Sequence, residues 1–303
     1  MQKIINGSVV GQLLENESLA KYTSWRIGGI AERVFVPEDK QGLCEFIAEL
    51  GGREPLYWIG LGSNLLVGDG GIAGVVINTR GRLKQMYLQD DSADDSYQLY
   101  VEAGVPCAHV AKYSAEQGLV GAEFLAGIPG TMGGALKMNA GAFDGSTWNL
   151  VHSVETIDAV GQIRQRKATE FNVYYRGIDG LGEQWFLSAI LRLKRGDVAS
   201  SQEKIKQLLY KRGQTQPTNQ PSCGSVFKNP EGDYAARLIE ACGLKGFSIG
   251  GACVSEKHAN FIVNTGNATA ADIEALIQHI QREVEAKHGV LLQTEVCRVG
   301  RTQ

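Results

Sequence analysis

Two glycine-rich stretches decide the fold of this chain: residues 60–64 read GLGSN, and residues 126–134 read AGIPGTMGG and run on to residue 141. Glycine lets the backbone approach a ligand closely, and consecutive N–H groups in such turns form a concave surface that suits phosphate oxygens. Two such turns predict a diphosphate held from two sides, as in a bound dinucleotide. The first stretch lacks the Lys-Ser/Thr pair of a P-loop and the Gly-x-Gly-x-x-Gly spacing of a dinucleotide fingerprint.

The composition is that of an ordinary globular protein with an excess of glycine. The chain has 303 residues, of which 43% are hydrophobic and 21% charged. This length predicts about two domains. The 38 glycines predict many tight turns. The net charge of −3 argues against a nucleic-acid binder, since such proteins present a basic surface.

The sequence also bears on compartment and metal content. No apolar run approaches the roughly 20 residues needed to span a bilayer, and residues 1–8 lack the apolar core of a signal peptide. The six cysteines are scattered without Cys-x-x-Cys spacing, so we expect reduced thiols in a cytoplasmic protein. The five histidines do not cluster, and we expect no zinc site.

Local patterns predict helices and strands in both halves of the chain. A Thr269-x-x-Asp272 capping box predicts a helix that ends at Gly289, and residues 151–167 predict a hairpin around Gly161. Further helices are predicted at 37–50, 106–117, 200–212 and 234–242, the third of them from a Ser200-x-x-Glu203 capping box, and further strands at 31–36, 56–59, 74–79, 97–102, 186–193 and 290–299.

The order of these elements indicates the fold class and the domain boundary. Strands and helices do not alternate regularly in the first half, which favours an α+β fold over a doubly wound nucleotide fold. The composition changes near residue 197. We therefore expect a first domain at 1–197, with lobes at about 1–80 and 81–197, and a second domain at 198–303.

Residues 223–230 read CGSVFKNP and place several polar side chains in an otherwise apolar turn. One interpretation is a loop in which Ser225 caps neighbouring backbone. The other is a hydroxyl that exchanges a proton, with Lys228 and Asn229 binding an anionic substrate. Because no Gly-x-Ser-x-Gly elbow surrounds Ser225, a nucleophile for acyl transfer is disfavoured.

Glu295 falls in the predicted last strand, where Leu291, Cys297 and Val299 are expected to lie beside it. A carboxylate among apolar neighbours is costly unless it is paired or functional, and Arg298 is the alternative partner. Arg176 is either a solvated side chain or a fork for a substrate carboxylate. Without other information, we interpret His258 as a structural residue and Trp25 as a core residue.

Taken together, these segments resemble the UDP-N-acetylenolpyruvoylglucosamine reductase family, also called UDP-N-acetylmuramate dehydrogenases. The resemblance covers nearly the whole chain, and six segments in the right order make it specific. They are TSWRIGG at 23–29, GLGSNLL at 60–66, the stretch 127–141, PSCGSVFKNP at 221–230, KHANFIVN at 257–264 and EVCRVG at 295–300.

The resemblance implies an FAD-binding fold of the vanillyl-alcohol-oxidase type, followed by an α+β substrate-binding domain whose last strand packs on the N-terminal lobe. It implies non-covalent FAD, NADPH as co-substrate, and UDP-N-acetylenolpyruvoylglucosamine as the substrate that is reduced to UDP-N-acetylmuramate for peptidoglycan. No nucleic acid, membrane or obligate protein partner is implied.

The resemblance also assigns residues to roles. Ser225 matches the proton donor, while Arg176 and Glu295 match groups that stabilise an enolate-like dianion, Glu295 by being protonated or sharing a proton. Substrate contacts fall on Lys228, Asn229 and His258. The cofactor falls on Gly60, Leu61, Gly62, Ser63, Asn64, Leu65, Gly127, Ile128, Pro129, Gly130, Thr131, Gly133, Gly134, Asn139, Ala140 and Gly141.

Two departures from the family pattern are visible near the catalytic arginine. Ile178 stands where the family commonly has serine, so Arg176 lacks that orienting neighbour. The stretch from Arg176 to Trp185 is short, which is typical of the branch without a tyrosine-bearing substrate loop.

Two other functions stay open at this level. One is an oxidase of the same fold with FAD attached covalently, near Cys107 or His109. The other is a non-enzymatic protein that binds a nucleotide sugar and holds no flavin.

Overall fold

The computed structural model describes residues 2–4, 10–89 and 96–302. By spatial contacts the chain forms two compact units, each assembled from separate segments. The first unit comprises Met1–Leu14, Arg33–Gly60 and Gly74–Lys211, and the second comprises Glu15–Glu32, Leu61–Ala73 and Arg212–Gln303. The domain boundary expected near residue 197 stays a prediction.

Helices and strands are mixed along the described residues, which confirms the α+β class. The helices are α1 Lys40–Leu50, α2 Cys107–Glu116, α3 Met132–Met138, α4 Val198–Thr215, α5 Ala235–Ala241 and α6 Ala270–His288, with 3₁₀ turns at Leu19–Tyr22, Glu123–Gly127, Thr147–Asn149 and Ala168–Glu170. None of the helices in the described ranges is both long and apolar enough to cross a bilayer.

The strands are short apart from a few central ones. They are β1 Gln2–Ile4, β2 Gly11–Ser18, β3 Ile30–Pro37, β4 Leu56–Ile59, β5 Leu65–Val67, β6 Ile72–Asn78, β7 Met86–Gln89, β8 Ser96–Glu102, β9 Leu119–Val120, β10 Gly141–Ala142, β11 Gly145–Ser146, β12 Val151–Asp158, β13 Ile163–Lys167, β14 Asn172–Tyr174, β15 Gly177–Asp179, β16 Gln184–Arg195, β17 Ser248–Ile249, β18 Ala252–Val254, β19 Ile262–Asn264 and β20 Cys297–Val299.

Helix α1 packs on the first sheet of the first unit, in which strand order is β1-β2-β3-β6-β4. The residues that it buries include Leu43, Phe46 and Ile47. The ring of Phe46 stacks on Phe35 of the sheet with centroids 3.7 Å apart. The helix begins at Lys40 rather than at 37 because the Asp39 side chain accepts a hydrogen bond from the Gly42 N–H.

The second sheet of the first unit has the order β13-β12-β16-β8-β7, with β9 beside β16. Strands β12 and β13 form the predicted hairpin, and Gly161 in its turn has a φ of 85°. One face of the sheet joins α2 and α3 in a hydrophobic core that includes Trp148 and Phe186. This core holds the second glycine-rich stretch in place.

The second unit is built around α6. The Thr269 side chain accepts from the Asp272 N–H and the Asp272 side chain accepts in return, so the predicted capping box is present. The apolar stripe of α6 packs in one core with Trp25, which is fully buried. The indole N–H of Trp25 donates to the Ile262 carbonyl at 2.7 Å. Trp25 is therefore a core residue, as expected.

The loop after β5 is attached to the N-terminus of α6. The two carboxylate oxygens of Asp69 accept hydrogen bonds from the backbone N–H groups of Ala270 and Ala271, each at 2.9 Å. A carboxylate at a helix N-terminus satisfies otherwise unpaired donors and interacts favourably with the helix dipole. Asp69 thus fixes the loop after β5 to α6 within the second unit.

Two further predicted boundaries are wrong. Helix α4 begins at Val198, because Asp197 accepts from the N–H and hydroxyl of Ser200 at 2.8 and 2.7 Å and so takes the capping role expected of Ser200. The last strand is short: β20 comprises Cys297–Val299 and pairs in parallel with β5. An apolar run alone does not distinguish a strand from an irregular segment that is held by side chains.

The short last strand also corrects the surroundings expected for Glu295. This residue precedes the strand, and Leu291 is 62% exposed while Leu292 is 1% exposed. Leu291 therefore does not share an apolar strand face with Glu295.

Candidate functional site

The first glycine-rich stretch forms a tight turn directly after β4. Gly62 has a φ of 59°, and a Cβ added there would lie 2.1 Å from the Tyr22 carbonyl oxygen, so only glycine fits. Within the described ranges, the backbone N–H groups of Gly62, Ser63 and Asn64 meet no acceptor of the protein. Three neighbouring donors of this kind are suited to an anionic ligand.

The second stretch lies along the start of α2. The Gly130 carbonyl accepts from the Cys107 N–H and the Met132 N–H donates to the Val105 carbonyl, both at 2.9 Å. The N–H groups of Gly130 and Thr131 have no acceptor among the residues that the structure describes. This turn therefore also presents backbone donors.

The two stretches meet at Gly60 and Thr131, both in the first unit. A Cβ added to Gly60 would lie 2.3 Å from Thr131 Oγ1, so the backbone passes the threonine without room for a side chain. Farther along the second stretch, the nearest atom to a Cβ on Gly134, outside its chain neighbours and its own helix backbone, would be Thr131 Oγ1 at 3.9 Å. The surface at Gly134 is therefore open to a ligand.

Asn139 ends α3 in the left-handed conformation, with a φ of 41°. Its amide oxygen accepts from the Ser146 hydroxyl at 2.6 Å and from the Trp148 N–H at 3.2 Å. Its amide nitrogen donates to the Tyr174 carbonyl at 2.9 Å. The side chain therefore ties the end of the second stretch to the segment that carries Arg176, a structural role beside the predicted cofactor role.

Arg176 is held against the second stretch. Its guanidinium donates to the Gly141 carbonyl at 3.0 Å and lies 4.9 Å from the ring centre of Tyr175. Ile178 is buried in the hydrophobic core of the first unit, and its apolar side chain cannot orient the guanidinium by a hydrogen bond. A carbonyl and an aromatic ring both contact the guanidinium of Arg176.

The backbone segments that carry Ser225 and Glu295 are hydrogen-bonded to each other through Val226. The Val226 carbonyl accepts from the N–H groups of Glu295 at 2.7 Å and Val296 at 3.3 Å. Gly224, with a φ of 80°, makes the turn that precedes the serine. Both predicted catalytic residues of the second unit therefore lie on adjacent, hydrogen-bonded backbone.

Asn260 clamps the same segment and was not singled out by the sequence. It is 3% exposed, and its side chain accepts from the Phe227 N–H at 2.9 Å and donates to the Phe227 carbonyl at 2.8 Å. Its own carbonyl accepts from the Val226 N–H at 2.9 Å. Asn260 lies inside the KHANFIVN segment at 257–264, and this family segment was the only feature of the sequence that pointed to it.

The Cys223 thiol, two residues before Ser225, is buried and has a raised pKa. Cys223 is 3% exposed, and burial, followed by the negative charge of Glu295, raises the pKa of its thiol well above the ordinary value. The thiol therefore stays protonated and does not compete with Ser225 as a thiolate.

The predicted substrate residues Lys228 and Asn229 closely follow Ser225 in the second unit. The Lys228 N–H donates to the Gln293 carbonyl at 2.8 Å. Asn229 is exposed, and its side-chain oxygen accepts from the Ala235 N–H at 3.1 Å at the start of α5, which gives it a structural role as well.

His258 is neutral under ordinary conditions, because burial lowers the pKa of its imidazole. Its Nδ1 accepts from the Asn260 N–H at 3.3 Å, which leaves Nε2 as the protonated nitrogen. His258 can therefore donate one hydrogen bond from Nε2.

Cys107, one of the two residues considered for covalent flavin attachment, is not suited to it. Cys107 is fully buried, and burial raises the pKa of its thiol to about 12. Such a thiol is inert, because the thiolate is the nucleophile.

A separate polar cavity of about 270 Å³ lies in the first unit. Lys40 forms an ion pair with Glu155 at 2.8 Å on its wall and also donates to the Tyr100 hydroxyl at 3.0 Å. The charges at this wall compensate each other, and none of the predicted site residues line the cavity. We therefore assign it no ligand.

Two family models match the chain. The model described as FAD binding domain matches residues 31–166, and the model described as UDP-N-acetylenolpyruvoylglucosamine reductase, C-terminal domain, matches residues 216–299.

Full-length relatives agree with these matches. The UDP-N-acetylenolpyruvoylglucosamine reductase of Methylococcus capsulatus is 55% identical over 293 residues, covering 97% of this chain and 95% of its own. The reductase of Nitrosococcus oceani is 52% identical over 300 residues, covering 99% of each chain. The crystal structure of UDP-N-acetylenolpyruvylglucosamine reductase from Thermus caldophilus superposes with a TM-score of 0.80 at 31% identity, covering 96% of this chain and 99% of the other.

These findings confirm the resemblance and the expected FAD-binding domain followed by a second, family-specific domain. With an FAD-binding domain and relatives named as reductases over nearly the whole length, the protein is an FAD-dependent oxidoreductase, and the chain belongs to the UDP-N-acetylenolpyruvoylglucosamine reductase family.

Proposed function

We propose that this protein reduces the enolpyruvyl ether of UDP-N-acetylenolpyruvoylglucosamine to UDP-N-acetylmuramate in peptidoglycan synthesis, with NADPH as the electron source and Ser225 as the proton donor. The observation that carries the reaction is relatedness over the whole length: 55% identity across 97% of the chain to a reductase of that name. The arrangement of Ser225 and Glu295 supports the assignment of the proton.

The two glycine-rich stretches are the proposed FAD cradle. Their unpaired backbone donors, and the surface at Gly134 that is open to a ligand, fit a diphosphate. When bound, FAD supplies the hydride that is added to the vinyl carbon of the substrate. The protein's own contribution is to hold that cofactor, orient the substrate and deliver the proton.

The proton is proposed to come from the Ser225 hydroxyl. A hydroxyl is a weak acid in water, but hydride addition next to a carboxylate makes the ether-bearing carbon strongly basic. The glycine turn at Gly224 and the bonds of Val226 hold the backbone on either side of the serine. A fixed donor needs little reorganisation when the proton moves.

Arg176 and Glu295 are the proposed stabilisers of the dianion that develops on the substrate. A guanidinium pairs with a carboxylate through two parallel hydrogen bonds, and the bonds of Arg176 to its neighbours limit its rotamers. Glu295 contributes a hydrogen bond only if its carboxyl group holds or shares a proton. Lys228, Asn229 and His258 are proposed to bind the anionic and amide groups of the substrate.

The test is the visible spectrum of the purified protein under anaerobic conditions. A yellow protein that bleaches with NADPH and recolours with UDP-N-acetylenolpyruvoylglucosamine supports the proposal. A colourless protein that FAD cannot reconstitute would favour a nucleotide-sugar binding protein. Flavin that stays with the acid-precipitated pellet would favour the covalent oxidase.

Two variants test the residue roles. In Ser225→Ala and Glu295→Gln, we expect NADPH to bleach the flavin at the wild-type rate, while recolouring by substrate slows by about 10²-fold or more. The exposed residues Ser248 and Glu283 provide matched controls as Ser248→Ala and Glu283→Gln. Wild-type recolouring in either site variant would remove that residue from the mechanism.

We also propose that the enzyme works in the cytoplasm, with small molecules as its partners. All six cysteines are free thiols, and the net charge is −3. The test is fractionation of cells that express the chain. Recovery of the protein in the membrane or extracellular fraction would contradict this proposal.

A further inference from the structure

Asn64 belongs to the first glycine-rich stretch, but its side chain points to Glu295. The amide nitrogen of Asn64 lies 3.0 Å from the Glu295 carbonyl oxygen and 3.9 Å from the Cys297 sulfur. Because a carbonyl oxygen can only accept, the amide nitrogen of Asn64 must be the atom that faces it. The backbone carbonyl of Asn64 in turn accepts from the Cys297 N–H at 3.0 Å.

These contacts fix the peptide bonds on both sides of Glu295. On one side, the Glu295 N–H donates to the Val226 carbonyl, next to Ser225. On the other side, the Glu295 carbonyl accepts from Asn64. The ladder of β20 begins only at Cys297, so strand pairing does not hold the peptide plane after Glu295. The Asn64 side chain holds the carbonyl of this peptide, and its Val296 N–H donates to the Val226 carbonyl at 3.3 Å.

We propose that Asn64 is a positioning residue for Glu295. It sets the direction of the Glu295 side chain through the peptide group that follows it, and thereby links the cofactor turn to the group that stabilises the substrate dianion. This inference rests on the proposed role of Glu295. It differs from the cofactor-binding role predicted for Asn64. Replacing a residue that only binds the cofactor weakens FAD binding, whereas replacing a residue that holds the Glu295 peptide loosens the backbone around Glu295.

The kinetic test compares the two half-reactions of the holoenzyme. In Asn64→Ala, we expect recolouring by substrate to slow by about 10–100-fold, because small misplacements of a catalytic group are costly. Bleaching by NADPH, measured on the same FAD-loaded protein, should slow less than recolouring does. In a Glu295→Gln background, Asn64→Ala should cause no further loss, since the two residues act as one unit.

A structural readout makes the test independent of activity. Amide hydrogen exchange in the segment 293–299 should quicken in Asn64→Ala and stay unchanged in Asn219→Ala, which removes an exposed asparagine of the same unit. Asn64→Asp keeps the volume and loses the donor, so it should show the same faster exchange if Asn64→Ala fails to retain FAD.

The outcomes separate the possibilities. Weaker FAD binding with unchanged exchange in 293–299 would overturn the inference and leave Asn64 as a cofactor ligand alone. Additive losses in the double variant would also overturn it. Full activity of Glu295→Gln would instead contradict the proposed role of Glu295, and the exchange rate would still confirm or overturn the clamp on Glu295.

Discussion

Replacing Asn260 by alanine should both destabilise the second unit and disturb the proton donor. The side chain makes two hydrogen bonds to one buried residue, at 2.9 and 2.8 Å to the N–H and carbonyl of Phe227. Phe227 is 1% exposed, so neither group can turn to bulk water when the amide is removed.

The expected loss in the free energy of unfolding follows from the N–H and carbonyl groups of Phe227, which lose their partners. Each buried and unpaired backbone group costs about 1–3 kcal/mol. A water molecule that enters the space of the lost amide recovers part of this, so we expect the free energy of unfolding to fall by about 2–4 kcal/mol. The substrate half-reaction should slow as well, because the backbone between Ser225 and Phe227 loses its clamp.

The assay is urea unfolding of the FAD-loaded protein, with both half-reactions measured on the same preparation. The exposed Asn219 supplies the matched control, and Asn219→Ala should change the free energy of unfolding by less than about 0.5 kcal/mol. A loss below about 1 kcal/mol in Asn260→Ala, with substrate reduction at the wild-type rate, would refute the clamp.

Two further predictions concern the first unit. Gly60→Ala should abolish or strongly weaken FAD binding, because its methyl group would lie 2.3 Å from Thr131 Oγ1, and visible absorbance after dialysis measures this; retention of flavin at wild-type affinity would contradict it. Burial of Glu123 by itself would raise the pKa of its carboxyl, but hydrogen bonds from backbone and Ser201 and the charge of Lys204 outweigh it and lower the pKa. The stabilisation by Glu123 is therefore present above the unfolded pKa of about 4.3 and is lost as pH falls through the lower folded value. Urea midpoints should thus fall more steeply below pH 4 for the wild type than for Glu123→Gln, and equal slopes would contradict this.

Features that depend on a local pattern were predictable from the sequence. The capping box of α6 and the hairpin around Gly161 each need only neighbouring residues, and the structure confirms both. The first glycine turn was also predictable, because Gly62 has a φ of 59° and a Cβ at Gly60 or Gly62 would overlap neighbouring atoms. The roles assigned to the site residues, in contrast, stay predictions.

Features that depend on distant partners were not predictable. Asn64 and Glu295 are separated by 231 residues, and no local pattern indicates that one side chain holds the other. The last strand was predicted too long for the same reason: residues 290–296 are held by Val226, Gln281 and Asn64 and not by a ladder. Helix α4 shows a smaller failure, since Asp197 and Ser200 are both good caps and only packing decides between them.

The burial of Trp25 has a consequence for synthesis on the ribosome. Its partner Ile262 lies 237 residues later in the chain, so at about 5–20 residues per second the nascent chain carries this indole for roughly 10 to 50 s before its core exists. The second unit cannot close during translation of the first two thirds of the message. Its early segments must wait, exposed to chaperones and to other nascent chains, until α6 leaves the exit tunnel.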